Sequence, residues 1–311
     1  MLDSRINKME VINYSQEKAE KILSMLPNGL RAEKVIVLPD ICKVRWRIPT
    51  GMVALTKQED WRKYAISDVG CGMLLCQSDM TDFNASLWDE LYYKIKTAGK
   101  EIGDLNIGNH FINALKSKTD RKLYFLIHCG VDKDIELLEN LSINNHTEFD
   151  DYYKSIIQRA EESRYAIFEM IKSVFGNLKF TLDKNHNHYE NTEDGVIIRR
   201  GAVKIEPNQL TVIPSNLCGE VALVKATDKV SKTLFSLSHG TGRLIGREEM
   251  DKVKDVDYRE LREKLYIPSM IPNENLKMDT PDCYRDLDSC LELIDNLIQV
   301  EDRYTIIGYL R

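Results

Sequence analysis

The 311-residue chain lacks any long uninterrupted apolar run. No window approaches the roughly 18 consecutive apolar residues that a membrane-spanning helix requires. The amino terminus, MLDSRINK, also lacks the apolar core of a secretory signal. We therefore expect a cytoplasmic protein without a membrane span. The seven cysteines form no CxxC pair, which argues against a zinc ribbon or a thioredoxin-type site, and their odd number and scatter predict reduced thiols.

An excess of basic charge is also missing. Lys and Arg number 43 against 49 Asp and Glu, and the net charge of −6 argues against broad nonspecific binding to nucleic acid. A local basic groove remains compatible with this balance. Two short stretches are candidates, KVRWR at 43–47 and IIRRGAVK at 197–204. A strand that alternates apolar residues with solvent-facing basic ones explains either stretch equally well.

The hydrophobic pattern predicts one α+β domain over residues 1–311, with mixed or antiparallel sheets flanked by helices. Strand-like runs and helical patterns alternate without a regular βαβ rhythm, which disfavours a doubly wound sheet. Helices are predicted over 14–26, 85–100, 150–175, 246–264 and 284–297, the first capped by Ser15 and the third ended by Gly176. Strands are predicted for KVIVLPD, GMVALT, GMLLCQS, LYFLIHCG, LKFTLDKNHNHY, GVIIRRGAVKIEP, QLTVIPS, EVALVKA, KTLFSLSHG and YTIIGYLR.

Four of the six histidines lie in suggestive settings, namely IGNHFIN, LYFLIHCG, NHNHYE and SLSHGTGR. A fifth segment, SDVGCGM at 67–73, holds Asp68 and Cys71 on a glycine-rich turn. Asp, Cys and His are the donor types of a transition-metal site. Taken singly, each has an ordinary explanation: a hydrogen-bonded strand-end histidine, a small buried cysteine, or a plain turn before a helix. Only their combination favours a functional site.

In chain order, DVGCGM, GNHF, HCG, HN, RRGAVK, VIPSNL and SHGTGR resemble the motifs of the RtcB family of RNA ligases. The likeness extends from about Leu38 to the PDCYRDLDSCLELI and YTIIGYLR segments near the end. This resemblance implies an RtcB-like catalytic domain. It also implies an enzyme of RNA repair or tRNA splicing that joins a 3′-phosphate or 2′,3′-cyclic phosphate of broken RNA to a 5′-hydroxyl, using GTP and two Mn²⁺ ions.

The resemblance also implies a role for individual residues. The implied ligands of two metal ions, with Cys71 shared, are Asp68, Cys71, His110, His128 and His186. His186 is preferred to His188 because the family motif is His followed by Asn. The implied nucleotide contacts are Asn109, Asn113, Asn187, Pro214, Ser215, Asn216, Leu217, Gly240, Thr241 and Gly242. Arg199 and Arg243 are the implied RNA contacts, and His239 matches the histidine that becomes guanylylated.

The chemistry suits these residue types. Imidazole has an unperturbed pKa of about 6.5, so a neutral nucleophile is available near neutral pH. Its attack on the α-phosphorus of GTP would form a phosphoramidate that can pass GMP onward. Two divalent ions can offset the charge of the triphosphate. Glycines beside His239 allow the backbone to approach a phosphate.

Several positions depart from the family pattern. Cys42 replaces the histidine of a PDVH motif, HCGVDKD at 128–134 replaces HSGSRG, and Asn113 stands where the family usually has a glutamate near the guanine. PSNL replaces PGSM, and the sequence ends at Arg311, before the family's guanine-contacting lysine. These changes predict an altered base or RNA-end preference. Two alternatives stay open: a binuclear-metal phosphoesterase or nucleotidyltransferase, and a non-ligating relative that retains the metal cluster.

Overall fold

The computed structural model describes residues 9–42, 48–64, 66–99, 110–131, 135–254 and 256–311, and its architecture confirms the α+β prediction. The helices are α1 Ala19–Met25, α2 Ala85–Ala98, α3 Ile135–Asn144, α4 His146–Phe175, α5 Tyr258–Lys264, α6 Glu274–Lys277 and α7 Leu287–Glu292. The strands are β1 Glu10–Asn13, β2 Lys34–Cys42, β3 Thr50–Thr56, β4 Gly72–Ser78, β5 Phe111–Ser117, β6 Leu123–Cys129, β7 Leu178–Asn185, β8 Asn187–Thr192, β9 Gly195–Arg200, β10 Ala202–Lys204, β11 Leu210–Pro214, β12 Glu220–Ala226, β13 Ser236–Ser238 and β14 Ile298–Leu310. Among the described residues, no helix is long and apolar enough to cross a bilayer.

The larger sheet has seven strands in the order β11-β12-β14-β5-β6-β4-β7, and all of its pairings are antiparallel. Helices α2 and α4 cover one of its faces. Trp88 of α2 lies between Phe125 of β6 and Phe175 of α4, with ring centroids 6.0 and 6.1 Å apart. These buried aromatic side chains anchor both helices, since burying each large side chain contributes about 1.5–3 kcal/mol.

The smaller sheet has five strands in the order β1-β2-β3-β9-β8, with β1 and β2 parallel and the other pairs antiparallel. Strand β2, between β1 and β3, is buried along almost its whole length. A two-stranded sheet, β10 with β13, continues from β9 through a tight turn at Gly201, whose φ is +60°. The chain passes from the larger sheet to the smaller sheet between β7, which ends at Asn185, and β8, which begins at Asn187.

Long, strongly periodic segments match their predictions best. The helix predicted over 150–175 begins earlier, at His146, because the side chain of Asn145 accepts a hydrogen bond from the N–H of Glu148. It ends at Gly176 as predicted, where a φ of +81° favours glycine.

Other predictions were wrong in detail. Helix α1 begins at Ala19, and Ser15 does not cap it because its hydroxyl and N–H donate to Asn13 Oδ1 in a tight turn. The helix predicted over 246–264 is a 3-10 helix at Arg247–Lys252 followed by α5. The strand predicted over 232–240 shortens to β13, preceded by a 3-10 helix at Asp228–Thr233. Strand β5 and helix α3 were not predicted.

Candidate functional site

Four adjacent strands of the larger sheet deliver the predicted metal ligands to one end of that sheet. Cys71 directly precedes β4, His110 directly precedes β5, His128 lies near the end of β6, and His186 directly follows β7. The register places Gly72 opposite both Cys129 and Asn185, and Phe111 opposite His128. Antiparallel neighbours bring the start of one strand beside the end of the next, so these four side chains converge.

The convergence creates two groups of three donors that share one thiol. Asp68, Cys71 and His110 form one group, and Cys71, His128 and His186 form the other, each with its donor atoms within 4.8 Å of one another. Cys71 Sγ lies 3.2 Å from His128 Nε2 and 3.5 Å from His110 Nε2. We call these five residues the ligand cluster. A shared sulfur between two three-donor groups is the arrangement expected for two neighbouring metal ions.

The electrostatics of the ligand cluster also suit cations. Burial raises the pKa of Cys71 well above its ordinary value, and the charge of Asp68 raises it further. Burial acts against ionisation of Asp68 too, but the neighbouring His110 and His128 outweigh it and lower the pKa of Asp68 to about 2. A bound cation supplies the positive charge that a buried thiolate needs.

Two buried polar atoms also indicate that the ligand cluster suits metal ions. Within the described part of the chain, His186 Nδ1 has no hydrogen-bond partner, and Asp68 Oδ1 has only a long contact, 3.5 Å from His110 Nε2. Burial, followed by the neighbouring His239 and His128, holds the pKa of His186 well below its ordinary value, so its ring is neutral and offers a lone pair. Buried polar atoms without partners are costly. Carboxylate, thiolate and imidazole donors therefore fit transition-metal ions here.

A buried arginine holds the backbone on which two ligands lie. Arg164 of α4 is 1% exposed and donates Nη1 to the carbonyl oxygens of Gly70 and Cys129, at 2.8 and 3.2 Å. Its Nε donates to Asp183 Oδ1 at 2.7 Å. Gly70 precedes Cys71 and Cys129 follows His128, so one guanidinium group fixes the backbone beside a ligand of each three-donor group. A fixed cation at this position also lowers the pKa of Cys71 against the larger effect of burial.

We expect Arg164→Met to weaken metal binding by about 10- to 100-fold, because residues that orient ligands have effects of this size. Competition with a chromophoric chelator measures the affinity. The control is Arg159→Met on the same helix, where the side chain is exposed. Arg164→Lys retains the charge but loses the forked donors, and we expect an intermediate affinity. Wild-type affinity in a folded Arg164→Met protein would contradict the role given to this residue.

His239 lies beside the ligand cluster, on the chain that follows β13. Its ring centroid is 4.6 Å from that of His186. Its Nδ1 lies 2.6 Å from Asp40 Oδ2 and 2.9 Å from the carbonyl oxygen of Gly201. The side chain of His239 is 13% exposed and that of Asp40 is completely buried, so solvent or a substrate can approach the histidine from one side.

The loop at 239–242 packs tightly against its neighbours. A Cβ on Gly242, whose φ is +72°, would lie 2.5 Å from the carbonyl oxygen of Asp40, so only glycine fits. The N–H of Thr241 donates to the carbonyl oxygen of Pro214 at 3.1 Å. The buried hydroxyl of Thr241 finds no partner among the residues that the structure describes. The N–H groups of His239 and Thr241 both donate within the protein, and the hydroxyl of Thr241 remains as a donor for an anionic ligand.

The remaining predicted nucleotide contacts surround this region or support it. Asn187 bridges two loops, donating Nδ2 to the carbonyl oxygen of Asp68 and accepting at Oδ1 from the N–H of Gly201. Ser215, Asn216 and Leu217 form the turn after β11, in which Ser215 and Asn216 mainly bond within the turn. The preceding residue, Pro214, joins this turn to the 239–242 loop, because its carbonyl oxygen accepts a hydrogen bond from the N–H of Thr241.

Asn113 on β5 is 3% exposed, and over the described residues its Oδ1 has no partner. It lies opposite Tyr309, whose hydroxyl donates to Asp279 Oδ2 at 2.9 Å. Asn109 lies outside the described residues, as does the KVRWR stretch at 43–47. The position of Asn113 opposite Tyr309, which is hydrogen-bonded to Asp279, is compatible with its predicted contact to the nucleotide.

The two arginines assigned to RNA occupy different environments. Arg243 stacks on Tyr284, with its guanidinium carbon 5.0 Å from the ring centroid, and among the described residues its buried Nη2 has no partner. Arg199 is completely buried and donates to Glu190, Ser236 and Leu234. Arg199 presents no surface to an RNA chain in this structure, and its assignment as an RNA contact is corrected to an internal role.

Sequence reasoning missed two residues of the site, Asp40 and Arg164. Asp40 had a visible signal, a carboxylate within the apolar run KVIVLPD, since a buried acid requires a partner. Arg164 had none, because a charged residue in an amphipathic helix is normally solvated. Among the described residues, the donor groups contain His186 and not His188, which is compatible with the preference for His186. The Nε2 of His188 lies 3.3 Å from Arg199 Nη1.

Comparison with known proteins identifies relatives of this chain. The family model described as "tRNA-splicing ligase RtcB" matches residues 106–308. The RNA-splicing ligase RtcB of Escherichia coli K12 is 21% identical over 243 residues, which cover 65% of this chain but only 59% of the relative. RNA-splicing ligase RtcB2 from another Escherichia coli strain is 24% identical over 275 residues, covering 72% of this chain and 71% of the relative. Because the family model matches more than half of its residues, the chain belongs to the RtcB family.

Proposed function

We propose that this protein is an RNA ligase that joins a 3′-phosphate or 2′,3′-cyclic phosphate to a 5′-hydroxyl through a nucleotidylated His239. GTP is the proposed nucleotide, two Mn²⁺ ions are the proposed metals, and RNA with broken ends in the cytoplasm is the proposed substrate. Support comes from family membership, from the paired donor groups that share Cys71, and from the position of His239 beside them.

The observation that carries the proposal is the environment of His239 Nδ1. Both groups close to it, the carboxylate of Asp40 and the carbonyl of Gly201, are hydrogen-bond acceptors. Nδ1 must therefore carry the proton when the ring is neutral, and the lone pair resides on Nε2. A ring fixed in this tautomer is prepared for nucleophilic attack, with Asp40 stabilising the positive charge that develops on the imidazole.

The ligand cluster would hold the two ions, which when bound offset the charge of the triphosphate and of its leaving group. His239 Nε2 attacks the α-phosphorus, a P–N bond forms, and the bond to the β-phosphate breaks to release pyrophosphate. A 2′,3′-cyclic phosphate is first opened by water to a 3′-phosphate. An oxygen of the 3′-phosphate then attacks the phosphorus of the adduct, the P–N bond breaks, and His239 is released. Finally the 5′-hydroxyl attacks that 3′-phosphate and releases the nucleoside monophosphate. Arg243, whose Nη2 has no partner among the described residues, is the proposed contact to a phosphate.

The alternative, a binuclear-metal phosphoesterase, is favoured by the same paired donor groups, because two-metal sites also hydrolyse phosphate esters. Hydrolysis by metal-activated water does not require a histidine held in one tautomer by a buried carboxylate. The arrangement at His239 and Asp40 therefore favours nucleotidyl transfer over hydrolysis. The two functions differ in whether RNA ends are joined or merely lose phosphate.

A sealing assay tests the proposed function. RNA cleaved to a 2′,3′-cyclic phosphate and a 5′-hydroxyl is incubated with manganese-loaded protein and each of the four nucleoside triphosphates. We expect joined RNA with at least one nucleotide and none without nucleotide. Phosphate release without joining would favour the phosphoesterase, and an unchanged substrate would favour a non-ligating relative.

Substitution of Asp40 tests the tautomer argument. In Asp40→Asn, the amide N–H₂ can face Nδ1 and stabilise the opposite tautomer, so we expect adduct formation to slow by about a hundredfold or more. In Asp40→Ala, the carbonyl of Gly201 still accepts from Nδ1, and the loss should be smaller. Rates of nucleotide adduct formation measure both effects. Equal rates for the two variants would contradict the tautomer argument.

A further inference from the structure

Arg199 connects β9 to the segment that leads into His239. It is completely buried, and its guanidinium group donates Nε to Ser236 Oγ at 2.8 Å and Nη2 to the carbonyl oxygen of Leu234 at 2.8 Å. Its Nη1 donates to Glu190 Oε2 at 2.6 Å. Three donor groups of one rigid side chain thus bind three separate acceptors, a geometry that arginine supports and lysine does not.

The segment that Arg199 binds has an unusual backbone. Leu234 and Phe235 are consecutive non-glycine residues with φ values of +53° and +52°. Left-handed conformations are strained for side chains of this size and persist only where the surroundings enforce them. Here Arg199 binds the carbonyl oxygen of Leu234, within the strained pair, and the hydroxyl of Ser236, the residue that follows it. The N–H of Phe235 donates to the carbonyl oxygen of Val230, which completes the turn.

This turn sets the course of the chain that carries His239. Ser236 begins β13, which pairs with β10 so that Ser238 lies opposite Ala202. The N–H and Nδ1 of His239 both contact the carbonyl oxygen of Gly201. Arg199 and Gly201 lie two positions apart on one stretch of backbone. They therefore hold the start and the end of the segment 234–239 against the same support.

We propose that Arg199 is a positioning residue for His239, and that it fixes the left-handed turn from which β13 presents Nε2 of the histidine. It touches neither RNA nor nucleotide. This inference rests on the proposed function, because it assigns a role within nucleotide transfer to His239. The ligand cluster lies at one end of the larger sheet, whereas Arg199 lies on the smaller sheet and this turn precedes β13, so loss of Arg199 should leave metal binding intact.

The test compares Arg199→Lys with Lys204→Met. Lysine at 199 retains a cation for Glu190 but cannot bind Leu234, Ser236 and Glu190 together. Lys204 also pairs with Glu190 through a side chain that is 46% exposed. Its pairing with Ser236 runs through the backbone, which Lys204→Met leaves in place, so it is a matched control. Metal content and melting temperature are measured first, to show that both variants are folded and loaded.

The decisive readout is single-turnover formation of the nucleotide adduct at saturating nucleotide. For Arg199→Lys we expect a rate about a hundredfold below wild type, with the half-saturating nucleotide concentration within about twofold, because misplacement of a reacting group acts on the chemical step. Lys204→Met should react at the wild-type rate. A wild-type rate in Arg199→Lys, or an equal loss in both variants, would overturn the proposal.

A second readout separates this inference from the proposed function. In protein with ¹⁵N-labelled histidine, the imidazole shifts report which ring nitrogen of His239 carries the proton. We expect a mixture of tautomers in Arg199→Lys and the Nδ1-protonated form in wild type and Lys204→Met. If wild type forms no adduct, the proposed function fails, while the spectra still test the positioning role. Identical His239 shifts in all three proteins would overturn it.

Discussion

Replacing His239 by asparagine is expected to abolish nucleotide adduct formation and RNA sealing while metal content stays at the wild-type level. The side-chain amide of asparagine can still donate to Asp40 and to the carbonyl of Gly201, so the local hydrogen bonds are retained. It has no nucleophilic nitrogen at the position of Nε2. We expect activity below about a thousandth of wild type, since removal of a covalent nucleophile leaves only background catalysis.

The control is His146→Ala, which removes an exposed histidine at the start of α4. Intact mass and a gel-based sealing assay measure the two activities, and elemental analysis measures the metal. Sealing that persists in His239→Asn would show that the nucleotide is not carried by this residue. Loss of metal in the same variant would instead assign His239 to the ligand cluster.

Replacing Cys71 by alanine is expected to empty both metal positions, because its sulfur belongs to both three-donor groups. Each group would retain only two donors, and two donors rarely hold a divalent ion against water. His110→Ala should remove one ion only, since Cys71, His128 and His186 remain together. Comparing Cys71→Ala with His110→Ala therefore distinguishes a ligand shared by both ions from a ligand of one ion.

Cys76→Ala is the matched control for Cys71→Ala. Cys76 is equally buried and lies further along β4, where its thiol contacts the carbonyl oxygen of Phe125. We expect normal metal content and a stability loss of about 1–3 kcal/mol from the small cavity. Elemental analysis after gel filtration gives the metal-to-protein ratio. A ratio unchanged in Cys71→Ala, or equally reduced in Cys76→Ala, would contradict the shared-ligand assignment.

The members of the ligand cluster lie in short, distinctive segments, and the resemblance of these segments to the RtcB motifs implied their shared role. Cys71 sits between two glycines, and His128 ends a strongly apolar run. The sequence did not predict β5, yet His110 reaches the cluster through the pairing of β5 with β6. Local patterns identify candidate donors, whereas strand order and register determine which of them meet.

Contacts between distant parts of the chain were not predictable. Asp40 and His239 are 199 positions apart, and no local pattern joins them. For Arg199, the sequence could not show whether the side chain is buried or exposed. Alternation within IIRRGAVK identifies a strand but not which face is buried, and the partner Glu190 that makes burial possible lies on β8. Strand β13 is shorter than predicted because a left-handed turn at Leu234 and Phe235 precedes it, and Arg199, distant in the sequence, binds the carbonyl oxygen of Leu234.

The most direct test of the central claim is the intact mass of the wild-type protein after metal removal, reloading with Mn²⁺ and incubation with each of the four nucleoside triphosphates. The account predicts one added nucleoside monophosphate, located on His239 by peptide mapping, lost in acid and absent in His239→Asn. The nucleotide that forms the adduct also shows which base the protein accepts. No adduct with any nucleotide, in protein shown to hold manganese, would contradict the account.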